Sequence, residues 1–221
     1  MTIADLELAR LLCTRLCHDL AGPVGAVSAG VELIGDDPSQ VDEETLALIG
    51  DSSTAASRKL RFLRAALGVA NGSADDVEEL LNGYLGAMAG MGGKVEVSWP
   101  APAALSVAEN TLGAALNQIL LNLCLFALES QPGCRTLSLA VNAAGSSLTI
   151  SVDVTGSPDR APTLREDMTS AITGENELSV SAKTVQAYVT GRLVRSLGGT
   201  IAYTAGPQGV NIMAVFAEPM S

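Results

Sequence analysis

The residue best suited to take part in a reaction is the one histidine of this sequence, His18, in the segment CHDLAGPVGAV. An imidazole is a nucleophile near neutral pH, and the adjacent Asp19 can orient the ring and accept one ring proton, which makes the other nitrogen more nucleophilic. His-Asp pairs also occur by chance, and a single histidine often has a structural role. The surroundings of His18 therefore decide between a catalytic and a structural interpretation.

Small residues follow His18 on the same face of a predicted helix. Gly22, Gly25 and Ala26 lie four, seven and eight positions after it, so another protein could approach the imidazole closely. Pro23 removes a backbone hydrogen bond and costs a helix about 3 kcal/mol, which is most tolerable where a bend is useful. The alternative is a helix irregularity without a functional role.

Basic residues of a second predicted helix are expected to lie near His18. A turn centred near residue 37 or 38 places His18 opposite residue 57, within the segment SRKLRFLR. Arginines there could attract a phosphoryl group or an acidic partner, although a solvated basic face is the alternative. The candidate partner-binding residues are Arg15, Gly22, Gly25, Ala26, Arg58 and Arg61.

The four cysteines are predicted to be reduced, buried and free of disulfides, since two lie in apolar helical runs of a large chain. The segment CTRLCH resembles a haem-attachment motif, but it has one residue too many between its cysteines and lacks a convincing set of further ligands. We predict neither a metal site nor a bound cofactor. The cysteines are Cys13, Cys17, Cys124 and Cys134.

Apolar periodicity and turn residues divide the chain into two predicted domains. Residues 1–72 form a helical hairpin, with helices at 3–34 and 41–70 that pack antiparallel around the turn segment GDDPSQVDEET. The hairpin presents more apolar surface than it can cover by itself, so a homodimeric four-helix bundle is a hypothesis. After the linker NGSADD, residues 75–221 form the second domain.

The second domain alternates helices with short strands, which predicts an α/β sandwich and an α+β fold for the whole chain. The segment 161–173 has no clear pattern. The predicted helices are 75–90, 108–130 and 179–197, and the predicted strands are 94–99, 136–142, 147–154, 199–204 and 210–217.

The net charge of −11 argues against nucleic-acid and anionic-membrane partners, because an acidic surface repels polyanions. No apolar run reaches the roughly 18 residues that a membrane-spanning helix needs, and the amino terminus has no signal-peptide pattern. We expect a cytoplasmic protein with protein partners.

The segment LCHDLAGPVGAV resembles the phospho-accepting H-box of sensor histidine kinases, and the sandwich pattern resembles their ATP-binding (Bergerat-type) domain. The nucleotide motifs depart from that family. NLCLFALES keeps Asn122 but has Phe126 at the metal-ligand position, and VTGSP has Val154 in place of the adenine-binding Asp and Pro158 in place of a glycine. The segment SAKTVQAYV lacks the glycines that let backbone amides approach phosphates.

A kinase-like scaffold with an intact phospho-acceptor and altered nucleotide motifs resembles the ChpT-like histidine phosphotransferases of alphaproteobacterial phosphorelays. The resemblance implies that His18 receives a phosphoryl group from an aspartate in the receiver domain of a hybrid histidine kinase. His18 then passes it to a response regulator, with Mg²⁺ supplied by the receiver and no ATP bound. An active histidine kinase and a non-catalytic dimeric scaffold are the alternative hypotheses.

Overall fold

A long antiparallel helical hairpin begins the chain in the computed structural model, which describes residues 3–36, 42–68, 74–88, 94–145, 147–175 and 180–217. Helix α1 spans Asp5–Asp36 and helix α2 spans Glu43–Leu67. The Asp42 carboxylate caps α2 by accepting a hydrogen bond from the Thr45 N–H at 2.8 Å. Both hairpin helices are confirmed, while the turn at 37–41 lies outside the described residues.

The register of the hairpin differs from the predicted one by about a helical turn. Gly30 of α1 packs so closely on Ile49 of α2 that an added Cβ would overlap the Ile49 side chain. Because the two helices are antiparallel, going back along α1 from Gly30 to His18 corresponds to going forward along α2 from Ile49 to Arg61. His18 is thus level with Arg61 and not with residue 57. The error arose because the exact turn cannot be located from composition.

The second part of the chain is a two-layer α/β sandwich, which confirms the predicted α+β fold. Its mixed sheet has the strand order β1-β2-β3-β5-β4, in which only the β1–β2 pair is parallel. Burial alternates along β3 and β5, because helices cover one sheet face. The elements are α3 (Ala74–Met88), β1 (Glu96–Ser98), α4 (Pro102–Leu112), α5 (Ala115–Ser130), β2 (Cys134–Ala144), β3 (Ser147–Gly156), α6 (Glu166–Thr173), α7 (Val185–Ser196), β4 (Gly199–Ala205) and β5 (Gly209–Ala217).

Two predicted helices of this domain were wrong in extent. The helix predicted at 108–130 is two helices, α4 and α5, which meet at a bend of 114°. Gly113 ends α4 with a φ of +54°, a conformation that side-chain-bearing residues rarely adopt. The helix predicted from residue 179 begins at Val185, after a turn, and the unassigned segment 161–173 contains the whole of α6.

The hairpin and the sandwich share one hydrophobic core. Phe62, Leu63 and Ala66, near the end of α2, are fully buried with residues of α3 and α5. The buried amide of Asn122 in α5 donates a hydrogen bond to the Ala66 carbonyl oxygen at 2.6 Å. The end of α2 is therefore held on the second domain. The first half of the predicted linker between them, residues 71–73, lies outside the described residues.

All four cysteines are free, but the prediction that they are buried was wrong for Cys13 and Cys17, which are exposed on α1. Cys124 is buried and Cys134 half-buried, and burial raises the pKa of Cys134 to about 11.

Among the described residues, no single helix is long and apolar enough to cross a bilayer; only α4 and α5 taken together, across their bend, meet that test.

Gly191 of α7 supplies a test of the packing between α6 and α7. A Cβ at this position would overlap the carbonyl oxygen of Ile172 in α6. Gly191→Ala is therefore expected to lower the free energy of unfolding by about 2–3 kcal/mol, measured by urea unfolding. Gly50→Ala is the control, because open space surrounds Gly50 in α2 and alanine there is expected to add about 0.5–1 kcal/mol. Equal stability of the two variants would contradict this packing.

Candidate functional site

His18 lies on the outer face of α1 and is 84% exposed, so its imidazole is open to a partner. Its Nδ1 is 3.1 Å from the Asp19 Oδ1. Since a carboxylate only accepts hydrogen bonds, this contact favours the tautomer with the proton on Nδ1, which leaves the lone pair of Nε2 available. The geometry supports the orienting role predicted for Asp19.

Arg15 connects this histidine pair to the second domain. Its Nε donates to the Asp19 Oδ2 at 2.6 Å, and its Nη2 donates to the Glu129 Oε1 near the end of α5. The Arg15 side chain is only 15% exposed. Arg15, predicted to bind a partner, is thus placed inside the protein's own ion-pair network, where it orients Asp19.

The electrostatics of this network follow from its partial burial. Burial disfavours the charged form of Arg15, but the carboxylates of Glu129 and Asp19 outweigh this effect and raise the Arg15 pKa. Burial raises the pKa of Glu129, although Arg15 opposes the change. Burial, with the same two carboxylates nearby, also raises the pKa of Tyr84, which stacks on Phe62 with 4.2 Å between ring centroids.

A cavity of about 400 Å³ lies beside His18, and both parts of the chain form its walls. Helix α1 provides one wall, and the ends of α5, α6 and the turn before α7 provide the other. Sequence patterns gave no signal for the residues of the second wall, because they are far from His18 along the chain. The lining residues are Thr14, Arg15, His18, Asp19, Glu129, Arg165, Met168, Ala182 and Lys183.

The small residues after His18 leave this part of α1 accessible, as predicted. No atom outside the local helix lies within 4 Å of a Cβ built on Gly22 or Gly25. Ala26 is half-exposed, and Pro23 lies within the continuous α1. A partner protein could therefore reach the backbone of α1 directly beyond the imidazole.

Arg58 and Arg61 line a different cavity, of about 390 Å³, between α2 and α3. The Arg58 side chain lies over Gly83 and Gly86 of α3, and the Arg61 Nη2 is 3.5 Å from the Glu79 Oε1. The structure does not bring these two arginines into the cavity of His18, because α2 turns them towards α3.

Four of the positions that were compared with nucleotide motifs lie in the core. Asn122, Phe126 and Val154 are buried, and Gln186 is buried in the segment where the kinase family has glycines. The Gln186 Nε2 donates to the Asn122 carbonyl oxygen at 3.0 Å. In the described part of the chain, no group of three or more His, Cys, Asp or Glu side chains is arranged to hold a metal ion.

The Arg15 bridge predicts a measurable coupling. Arg15→Met leaves Glu129 without its cation and is expected to lower the free energy of unfolding by about 1–3 kcal/mol, less than for a fully buried pair because both side chains are partly exposed. The loss should grow as the pH rises through the raised pKa of Glu129, since the carboxylate of the variant would then be charged without a cation beside it. Adding Glu129→Gln should restore part of the stability in urea unfolding; strictly additive effects would contradict the bridge.

Two known proteins resemble this chain over different lengths. The chain is 40% identical over 78 residues to protein phosphotransferase ChpT of Brucella abortus, a stretch that covers 35% of this chain and 36% of that relative. The alignment thus spans about a third of the relative's length. A solved bacterial phosphotransferase aligns with 97% of this chain and 98% of its own, at 25% identity and a TM-score of 0.75.

Weaker similarity extends to histidine kinases. Acinetobacter baumannii histidine kinase AdeS aligns with 90% of this chain and 97% of its own at 14% identity, with a TM-score of 0.47.

The family described as histidine phosphotransferase C-terminal domain matches residues 74–209, more than half of the chain and most of its second domain. The chain therefore belongs to the histidine phosphotransferase family.

Proposed function

We propose that this protein is a phosphorelay histidine phosphotransferase in which His18 carries the phosphoryl group. The observation that carries the proposal is an exposed imidazole whose Nδ1 is held by Asp19, within a chain of the histidine phosphotransferase family. The name of the Brucella abortus relative and the solved bacterial phosphotransferase support the same activity.

In the proposed reaction, the Nε2 lone pair of His18 attacks the phosphorus of an aspartyl phosphate on a receiver domain. The new N–P bond forms as the P–O bond to the receiver's aspartate breaks, and the aspartate leaves as a carboxylate. The Nδ1 proton stays on the ring, where Asp19 stabilises the positive charge that the imidazole gains. The reverse reaction with a second receiver releases the phosphoryl group to a response regulator.

This exchange requires positioning more than chemical activation, because both phosphoryl donors are high-energy species. The open surface at Gly22 and Gly25 supports docking of a receiver on α1, and the cavity walls from the second domain support a two-sided contact. Mg²⁺ is expected to come from the receiver. The proposed partners are the receiver domain of a hybrid histidine kinase and those of response regulators, in the cytoplasm.

Direct use of ATP is disfavoured by the packing of the second domain. Phe126 and Val154 are fully buried at the positions where histidine kinases carry a metal ligand and an adenine-binding carboxylate. Gln186 is buried in the segment that corresponds to their second glycine-rich motif. Binding ATP would require these core side chains to move. We infer that the second domain serves as a docking wall and not as a kinase domain.

Dimerisation through the hairpin is a further part of the proposal. Of the nine large hydrophobic side chains that are exposed in the described residues, seven lie on the hairpin. Such a concentration of apolar surface is typical of an interface between subunits. A second copy of the hairpin would complete a four-helix bundle. The seven are Leu6, Val24, Val31, Leu33, Leu46, Leu48 and Leu60.

Transfer of radiolabel tests the activity. Wild-type protein is expected to gain label from a phosphorylated receiver domain but not from labelled ATP alone, and His18→Ala is expected to gain none from either. Because His18 is exposed, the variant should keep the circular dichroism spectrum and urea midpoint of the wild type. Label from ATP alone would indicate a kinase, and no label on the wild type would leave the scaffold hypothesis.

Light scattering after size exclusion tests the dimer. The wild type is expected to elute as a dimer, and Val31→Glu with Leu46→Glu as a monomer, because the charges would be buried in the interface. Val107→Glu is the matched control, since Val107 is exposed on α4, outside the hairpin, and this variant should stay dimeric. A monomeric wild type would contradict the interface.

A further inference from the structure

The cavity beside His18 contains a cation that the second domain contributes. Lys183 lies in the turn that precedes α7 and lines the same cavity as His18. Within the described part of the chain, the exposed ammonium group of Lys183 has no hydrogen-bond or ion-pair partner. It therefore remains available to an anion that enters the cavity.

The other charged groups that line this cavity are already paired. Arg15 is bound by Asp19 and Glu129, and both Nε and Nη2 of Arg165 donate to the Asp167 carboxylate at 2.8 Å. A phosphoryl group on His18 would bring up to two negative charges close to the carboxylates of Asp19 and Glu129. Such an arrangement requires a cation that is not already neutralised.

Packing of α7 against α1 and the turn before α7 hold the backbone of Lys183 at the cavity that His18 also lines. Helix α7 runs alongside α1, with the Arg192 Nη2 3.9 Å from the Asp5 Oδ1 near the start of α1. The turn before α7 is closed by a hydrogen bond from the Val185 N–H to the Ser181 carbonyl oxygen at 2.8 Å. Lys183 and His18 thus line the same cavity from opposite walls, and the Lys183 side chain is long and flexible.

We propose that Lys183 binds the phosphoryl group carried by His18, so that the phosphoryl site is completed by the second domain. The inference rests on the proposed function and adds a residue that contacts the transferred group. During transfer from a receiver, the ammonium contacts the phosphoryl oxygens while the N–P bond forms and the P–O bond to the aspartate breaks. Lys183 keeps its protons throughout and acts as a charge and hydrogen-bond donor.

Three variants of the full-length protein test this role. Lys183→Gln removes the charge, Lys183→Arg keeps it, and Lys94→Gln is the control, because Lys94 is an exposed lysine that precedes β1 and does not line the cavity. Labelled receiver domain is the donor, and the rate of transfer is measured at several receiver concentrations. Lys183→Gln is expected to lower the maximal rate of transfer about tenfold. Lys183→Arg should stay within about threefold of the wild type, and Lys94→Gln should be unchanged.

A spectroscopic measurement separates phosphoryl binding from receiver docking. The ³¹P chemical shift of the phosphorylated wild type and Lys183→Gln proteins is followed against pH, with the receiver removed. Loss of a neighbouring cation should raise the pH midpoint of the phosphoryl group by about one unit, since the cation favours the more charged form. Lys94→Gln should not change it.

Each other outcome overturns the inference. If Lys183→Gln changes neither the maximal rate of transfer nor the pH midpoint of the phosphoryl group, Lys183 is not part of the phosphoryl site. If it raises only the receiver concentration needed for half the maximal rate, Lys183 acts in receiver docking. These results differ from failure of the proposed function, in which the wild-type protein itself would gain no label on His18.

Discussion

The ion-pair bridge of Arg15 is the interaction on which the geometry of the site depends. One guanidinium holds the Asp19 carboxylate that orients His18 and also reaches Glu129 at the end of α5. The orientation of the imidazole is thereby linked to the position of the second domain. Because these side chains are largely shielded from water, the bridge is costly to break from one side, which would leave a charge without its partner.

Residues that resemble parts of a nucleotide site serve as structural connections in this protein. Asn122 binds the Ala66 carbonyl oxygen of the hairpin, and Gln186 binds Asn122 from α7. These hydrogen bonds join α2, α5 and α7 at one buried point. The packing thus holds the second domain against the hairpin, which keeps the far wall of the cavity beside His18 in place.

Much of the fold could be predicted because its signals are local. Apolar periodicity located the hairpin, and alternating polarity located the strands. The break at Gly113 was missed, since a glycine inside an apolar run reads equally well as helix interior. Long-range features could not be predicted at all: Glu129 and Lys183 approach His18 only through tertiary packing, and the side to which α2 directs Arg58 depends on where α3 lies.

The burial of Phe126, Val154 and Gln186 has a consequence for substitution at these three positions. Placing the polar residues of histidine kinases at the first two positions would bury an amide or a carboxylate without partners, and a glycine at the third would leave a void and remove the hydrogen bonds to Asn122. Each of these three substitutions alone would thus destabilise the fold, so a nucleotide site could not be rebuilt here by one tolerated change at a time.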